Sequence, residues 1–115
     1  MIQIKRVYEE FRETDGYRIL VDRLWPRGLS KEKAHVDEWL KDIAPTDELR
    51  KWFNHEPERY PEFKQRYEKE LKEHADLLDQ IRTKAAHHRV TLLYGAHDEE
   101  HNQAKVLAEV LAKKH

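Results

Sequence analysis

The segment VTLLYG at residues 90–95 decides the fold class of this chain. Four of its first five residues are aliphatic or aromatic, and a glycine ends the run. A short apolar run with a β-branched residue that stops at glycine is typical of a strand buried on both faces. We therefore predict a central strand here, in a sheet that is covered on both sides.

Helical patterns flank this strand. Residues 61–87 place apolar side chains at spacings of three, four or seven, and a straight helix of that length would be about 40 Å long, so we predict a bend or break near His74. After the strand, Asp98 is placed to cap a last helix from about Glu99 to Lys114. Helix, buried strand and helix in succession predict a single-domain, layered α/β fold with a small, mostly parallel sheet flanked by helices.

The N-terminal part adds two more strands. Ile2 and Ile4 alternate with polar residues over positions 1–8, and residues 17–21 end in three consecutive aliphatic residues. The eight residues between them are fewer than the dozen or so that a parallel crossover normally takes, so periodicity alone favours a hairpin. Both pairings stay open at this point. A third strand is predicted between residues 36 and 43, and Thr46 is predicted to cap a short helix.

Composition excludes several classes of protein. The length of 115 residues predicts one domain over residues 1–115. The 22 basic and 23 acidic side chains give a net charge of −1, which disfavours a bulk polyanion binder. The absence of cysteine excludes disulfides and thiolate metal sites. No apolar run is long enough for a membrane-spanning helix and no secretory signal is visible, so we expect a cytoplasmic protein.

The first candidate site is DRLWPRG at residues 22–28, directly after a predicted buried strand. In parallel sheets, ligands bind outside the carboxyl ends of the strands. Arg23 and Arg27 are suited to bind phosphate or carboxylate oxygens, Trp25 offers an aromatic wall, and Asp22 is a candidate for proton transfer. The alternative is structural, with the tryptophan in the core and Arg23 paired with an acid.

The second candidate site is the segment 94–102, where the central strand ends. The glycine after Tyr94 would let a ligand approach the backbone, and Asp98 and Asn102 are candidate ligand contacts, although a capping role for Asp98 is favoured. His101 is a second candidate for proton transfer. His97 and His101 are spaced four apart, but the chain has eight histidines and such pairs arise by chance, so we predict no metal site.

Four blocks together resemble the YeaO-like family of small bacterial proteins: KRVY at 5–8, DGYRILVDRLWPRG at 15–28, LRKWF at 49–53 and TLLY at 91–94. The resemblance implies a compact α/β fold among parallel-sheet domains, which favours a parallel first strand, and it implies no activity. The family usually has a lysine where this chain has His97. That departure weakens an anion-holding role at this position and would make a two-histidine metal site peculiar to this chain.

Two functions and one structural alternative follow. The leading hypothesis is a pocket for a small anionic ligand, phosphorylated or nucleotide-like, between the two candidate segments, with hydrolase- or transferase-like turnover through Asp22 or His101. The alternative is a non-catalytic module that binds nucleic acid or protein through Trp25, Arg27 and Trp52, with nucleic acid disfavoured by the net charge. The structural alternative is a protein with buried tryptophans, solvated charges and a long helix that serves as an oligomer face. The sequence indicates no particular cofactor or oligomeric state.

Overall fold

Four parallel strands form one sheet in the computed structural model, which describes residues 2–113. The strands are β1 (Ile2–Arg6), β2 (Tyr17–Leu20), β3 (Glu38–Trp39) and β4 (Val90–Tyr94), in the order β1-β4-β2-β3. All five residues of β4 are buried. The predicted central strand and the α/β class are therefore confirmed.

The hairpin alternative for the first two strands is wrong. β1 and β2 run parallel and lie on opposite sides of β4, so that Ile2 and Tyr17 both align with Val90. The link at residues 7–16 can span about 33 Å when extended. That is enough to return along a five-residue strand, about 17 Å, and to step across two strand spacings of about 5 Å each. This crossover contains no α-helix. The usual minimum length of a parallel crossover, which allows for a helix, therefore does not apply to it.

The described residues also form five α-helices: α1 (Lys31–Ala34), α2 (Asp47–Phe53), α3 (Tyr60–Lys72), α4 (Ala75–His87) and α5 (Gln103–Ala112). Short 3-10 turns lie at Glu13–Asp15, Lys41–Ile43 and Pro57–Arg59. The hydroxyls of Ser30 and Thr46 cap α1 and α2. The break between α3 and α4 falls at residues 73–74, as predicted, since one continuous helix would exceed the 37 Å extent of the molecule.

The two faces of the sheet are covered differently. Helices α2 to α5 pack against one face, where Phe63, Tyr67 and Leu107 meet the strand residues Ile19 and Leu92. The opposite face carries Leu20 and Leu93 under Trp25, Trp39 and the one-turn helix α1. Both faces are covered, as expected, but loops supply most of the second layer.

A buried ion cluster lies on this second face. Arg18 is 1% exposed, and its guanidinium binds the carboxylate of Asp15 and the carbonyl oxygens of Ala34 and His35 at 3.0 and 2.9 Å. The ammonium of Lys5 lies 3.0 Å from the same carboxylate. The charges therefore satisfy one another where a second helical layer would otherwise supply apolar side chains.

The last helix begins later than predicted. It starts at Gln103 rather than Glu99, because Asp98 accepts hydrogen bonds from the backbone of Glu100 and His101 in a turn that precedes the helix. Asn102 is the helix cap, with its side-chain oxygen 3.0 Å from the nitrogen of Lys105. The predicted end at Lys114 lies outside the described residues.

Over residues 2–113, no helix has the length and apolar character that crossing a membrane requires.

Candidate functional site

Asp22 joins the two predicted segments at the carboxyl edge of the sheet. One oxygen of its carboxylate accepts the backbone N–H of Gly95 at 2.8 Å. The other accepts a hydrogen bond from the side-chain amide of Gln103, the first residue of α5. The end of β2, the end of β4 and the start of the last helix therefore meet at one carboxyl group.

Burial sets the electrostatics of this junction. It raises the pKa of Asp22 to about 6, although the hydrogen bonds from Gly95 and Gln103 act in the opposite direction. A Cβ atom at position 95 would lie 3.0 Å from the Asp22 carboxylate, so glycine permits this close approach. The carboxylate of Asp22 thus occupies a backbone amide that a parallel sheet offers to a ligand at this edge.

Arg23 turns away from the junction. Its Nε donates to the carbonyl oxygen of Pro45 at 2.9 Å, and a terminal nitrogen donates to that of Ala44 at 3.2 Å. Both acceptors precede α2. The guanidinium is therefore held by backbone carbonyls rather than by an internal acid.

Trp25 lies against the second sheet face. Its indole nitrogen donates to the carbonyl of Leu29 at 2.7 Å, and its ring meets Trp39 edge-on at 5.4 Å. Trp39 in turn donates to the backbone carbonyl of Asp22 at 2.8 Å. The tryptophan pair therefore supports the backbone that carries Asp22.

Arg27 is exposed, and its guanidinium makes no hydrogen bond or ion pair with any residue from 2 to 113. Its backbone carbonyl accepts the hydroxyl of Tyr8 at 2.9 Å. The loop 22–28 is thereby attached to the chain that leaves β1, with a charged group left open to solvent.

The segment after β4 is organised by its own side chains. Tyr94 is buried, which raises its pKa, and the nearby Glu99 and Glu9 raise it further. Hydrogen bonds, first from the backbone of Glu100 and then from His101, hold the pKa of Asp98 below its usual range. Asp98 lies 2.8 Å from Nδ1 of His101, whose ring meets Tyr60 edge-on.

Asn102 is 1% exposed and serves the turn as well as the helix. Besides capping α5, its amide nitrogen donates to the carbonyl of Asp98 at 3.0 Å. Asp98, His101 and Asn102 therefore form one local network, and Gln103, the residue that follows it, donates to Asp22.

The whole chain, residues 1–115, matches the family model described as the inactive DUF488-N3 subclade. The chain belongs to this subclade. It is 46% identical to the uncharacterised protein YeaO of Escherichia coli over 110 residues, which cover 96% of each chain. Uncharacterised proteins of Mycobacterium tuberculosis and Mycobacterium bovis are 41% identical over 96% of this chain and 92% of theirs. The YeaO-like resemblance is thus confirmed, while no solved structure matches.

Sequence reasoning missed a cationic group on this DUF488-N3 chain, which we call the arginine edge: Arg6, Tyr8, Arg27 and His97. Arg6 donates from Nε to the carbonyl of Ala96 at 2.8 Å, and its guanidinium lies 5.2 Å from the centre of the Tyr8 ring. A terminal nitrogen of Arg6 lies 3.4 Å from Nδ1 of His97. Applying the strand-end rule to β1 would have found Arg6, because it is the last residue of that strand.

The two histidines spaced four apart in this DUF488-N3 chain, His97 and His101, have separate partners. His97 meets Arg6 and His101 meets Asp98. In the described part of the chain, no three His, Cys, Asp or Glu side chains are grouped so that they could hold a metal ion.

The two cavities that we describe lie away from this edge. One, of about 570 Å³, is lined by residues of β2, β3 and α4, among them Tyr17 and Lys84. The other lies between α3, α4 and α5. At the arginine edge itself, Tyr8, Arg27 and His97 are exposed.

Proposed function

We propose that this chain binds a small anionic ligand, phosphorylated or nucleotide-like, at the arginine edge, and that it does so without turnover. Arg27 supplies an exposed guanidinium without a partner among residues 2–113, and Arg6 supplies a second one near His97. Guanidinium groups donate paired hydrogen bonds that match the spacing of phosphate and carboxylate oxygens.

The two contacts of Tyr8 carry this proposal. Its hydroxyl holds the backbone of Arg27 at 2.9 Å, and its ring lies beside the guanidinium of Arg6 at 5.2 Å. One aromatic side chain therefore connects the two arginine-bearing segments at the carboxyl edge of the sheet. Because the backbone of both segments is fixed, less ordering is required when an anion binds.

The internal partners of Asp22 and His101 and the description of the subclade favour binding over turnover. Asp22 and His101 are the candidates for proton transfer, and the raised pKa of Asp22 lies in a range suited to it. Both carboxylate oxygens of Asp22, however, accept internal hydrogen bonds, and Nδ1 of His101 is paired with Asp98. The description of the subclade as inactive agrees with a binding role.

Calorimetry tests the proposal, with pyrophosphate, sugar phosphates and nucleoside monophosphates as probes. We expect one-to-one binding of at least one probe, weakened about tenfold or more by Arg27→Ala and by Arg6→Ala. Arg27→Lys should recover part of the loss, since it restores the charge but not the paired donors. Arg50→Ala is the matched control, because Arg50 is a partly exposed arginine on α2, paired with Asp47 and outside the arginine edge. Affinities that do not differ between Arg27→Ala and Arg50→Ala would refute the proposal, as would the absence of binding by every probe.

A protein-binding accessory role is the second candidate, and exposed apolar side chains favour it. Leu24 is 58% exposed and Tyr8 is 42% exposed, and both lie in the segments that carry the two arginines. Tyrosine and arginine are enriched at protein interfaces. Trp25 and Trp52 pack against different core clusters, on opposite faces of the sheet, so they do not share a surface on which nucleic-acid bases would stack.

Leu24→Gln separates these two candidates, because it removes the exposed apolar side chain without adding a negative charge near Arg27. Under the anion proposal, this variant keeps its affinity for the small probes. Under the accessory role, it loses a cross-linked complex that forms with the unchanged protein in its own cells, while Lys51→Glu on α2 keeps that complex.

A further inference from the structure

The second cavity lies between α3, α4 and α5, at the far end of α5 from Gln103. Its volume is about 690 Å³, and its apolar lining consists of Leu71, Ala75, Leu78 and Val110. This volume falls within the range of about 300–1,000 Å³ that is typical of small-molecule sites. The cavity is therefore separate from the arginine edge and has the size of a ligand site.

Basic side chains dominate the rim of this cavity. Arg82 donates to the carbonyl oxygen of Val110 at 3.1 Å and lies 3.7 Å from Asp79, and Lys113 lies 3.8 Å from Glu68. Lys69 and Lys72 are exposed and make no ion pair within residues 2–113. The rim has four basic and two acidic side chains: Lys69, Lys72, Arg82, Lys113, Glu68 and Asp79. The ammonium groups of Lys69 and Lys72 are thus the two without an acidic partner in the described chain.

We propose that this cavity binds a single-chain amphiphile with a carboxylate head group, a fatty acid in chemical class. The hydrocarbon chain lies against Ala75 and Val110, above the buried side chains of Leu71 and Leu78. The carboxylate meets the ammonium groups of Lys69 and Lys72. An apolar floor with unpaired cations at the rim matches both ends of such a molecule.

The charge on the rim argues against a second copy of the chain as the occupant. A symmetric dimer through this face would bring the same excess of cations on each copy together. Like charges placed opposite each other disfavour association. A small anion with an apolar tail relieves this excess.

Titration of the full chain with octanoate, decanoate and dodecanoate, below their micelle concentrations, tests the inference. We expect one-to-one binding whose affinity rises about fourfold for each added methylene group, because each one buries more apolar surface. Lys69→Glu with Lys72→Glu should weaken dodecanoate binding at least tenfold, and Ala75→Trp should block it by filling the cavity. Lys31→Glu with Lys51→Glu, on exposed positions of α1 and α2, is the matched control and should leave it unchanged.

Several results would overturn the inference. They are the absence of dodecanoate binding, equal binding of dodecyltrimethylammonium, and affinities that the cavity variants leave unchanged. If sedimentation shows a dimer and Ala75→Trp dissociates it, a second copy of the chain occupies the cavity, which also overturns the inference. Because Arg27→Ala leaves the cavity intact, unchanged dodecanoate binding by that variant separates this inference from the proposed anion site.

Discussion

The carboxyl group of Asp22 connects three parts of the fold through the N–H of Gly95 and the amide of Gln103. Burial raises its pKa from 3.8 to about 6, so the folded chain binds more protons than the unfolded chain between these values. Stability contributed by this group is present at low pH and is lost as pH rises through about 6. Deprotonation therefore costs the fold free energy at neutral pH.

Asp22→Asn should remove this pH dependence. Asparagine keeps an oxygen acceptor for Gly95, and the amide of Gln103 can rotate to accept instead of donate. Relative to the unchanged protein, the variant should gain about 2 kcal/mol of unfolding free energy between about pH 4 and pH 8. Urea unfolding of both proteins across this range measures the difference in unfolding free energy. The contributions of the other carboxyl groups cancel, because both proteins contain them. A difference that stays constant with pH would contradict the account.

Gly16 and Gly28 provide a second comparison between single residues. Both have positive φ, 70° and 77°, yet a Cβ at position 16 would lie 2.2 Å from the carbonyl oxygen of Arg89, whereas nothing lies within 4 Å at position 28. We expect Gly16→Ala to lower the unfolding free energy by roughly 3 kcal/mol or more, and Gly28→Ala by about 1 kcal/mol. Urea denaturation measures both, and similar losses would show that Gly16 is not confined by Arg89.

At the scale of elements, two residues near the start of α5, Asp98 and Asn102, are candidates for its cap. Asn102 is buried and binds the nitrogen of Lys105, whereas Asp98 binds backbone nitrogens in the half-exposed turn before the helix. Asn102→Ala should therefore cost about 2 kcal/mol of unfolding free energy, and Asp98→Ala should cost less. Thermal and urea unfolding measure this order. The reverse order would place the helix start at residue 99 after all.

The ion cluster on the second sheet face leads to the next prediction. Burial alone would raise the pKa of Asp15, but hydrogen bonds from the backbone of Arg12 and from Lys5 hold it below its usual range. Asp15→Ala would leave Arg18 charged and buried without its partner, at a cost of about 3–5 kcal/mol of unfolding free energy.

Asp47→Ala is the matched control for this cluster. Asp47 also pairs with an arginine three residues away, Arg50, at 3.2 Å, but the two side chains are 60% and 40% exposed. This control should cost less than about 1 kcal/mol. Similar losses for Asp15→Ala and Asp47→Ala in urea denaturation would show that burial does not make the Asp15 cluster special.

Local patterns predicted the elements better than their pairing. The apolar run of β4, the aliphatic run of β2 and the break at residues 73–74 follow from periodicity and length, which act within one element. The position of β4 between β1 and β2 depends on contacts between residues far apart in sequence, which local patterns do not show. The short link between the first two strands therefore favoured a hairpin. Arg18 escaped notice because charged residues in sequence are usually solvated. The cap at Asn102 was missed because Asp98 satisfies the same local rule.

At the scale of the whole molecule, the strand order explains how much of the site was predictable. Because β2 neighbours β4, Asp22 reaches Gly95, and the two predicted segments are adjacent. The direction of Arg23 towards Pro45 depends on where the chain before α2 lies, which no local pattern specifies. Arg6 and Tyr8 join the edge only because β1 pairs with the other side of β4.

A nuclear magnetic resonance titration with pyrophosphate tests most directly whether the arginine edge binds a small anion. We expect the largest saturable shifts at the backbone amide of His97 and at the backbone and guanidinium resonances of Arg6 and Arg27. Shifts confined to the cavity between α3, α4 and α5, or none up to millimolar pyrophosphate, would contradict the claim.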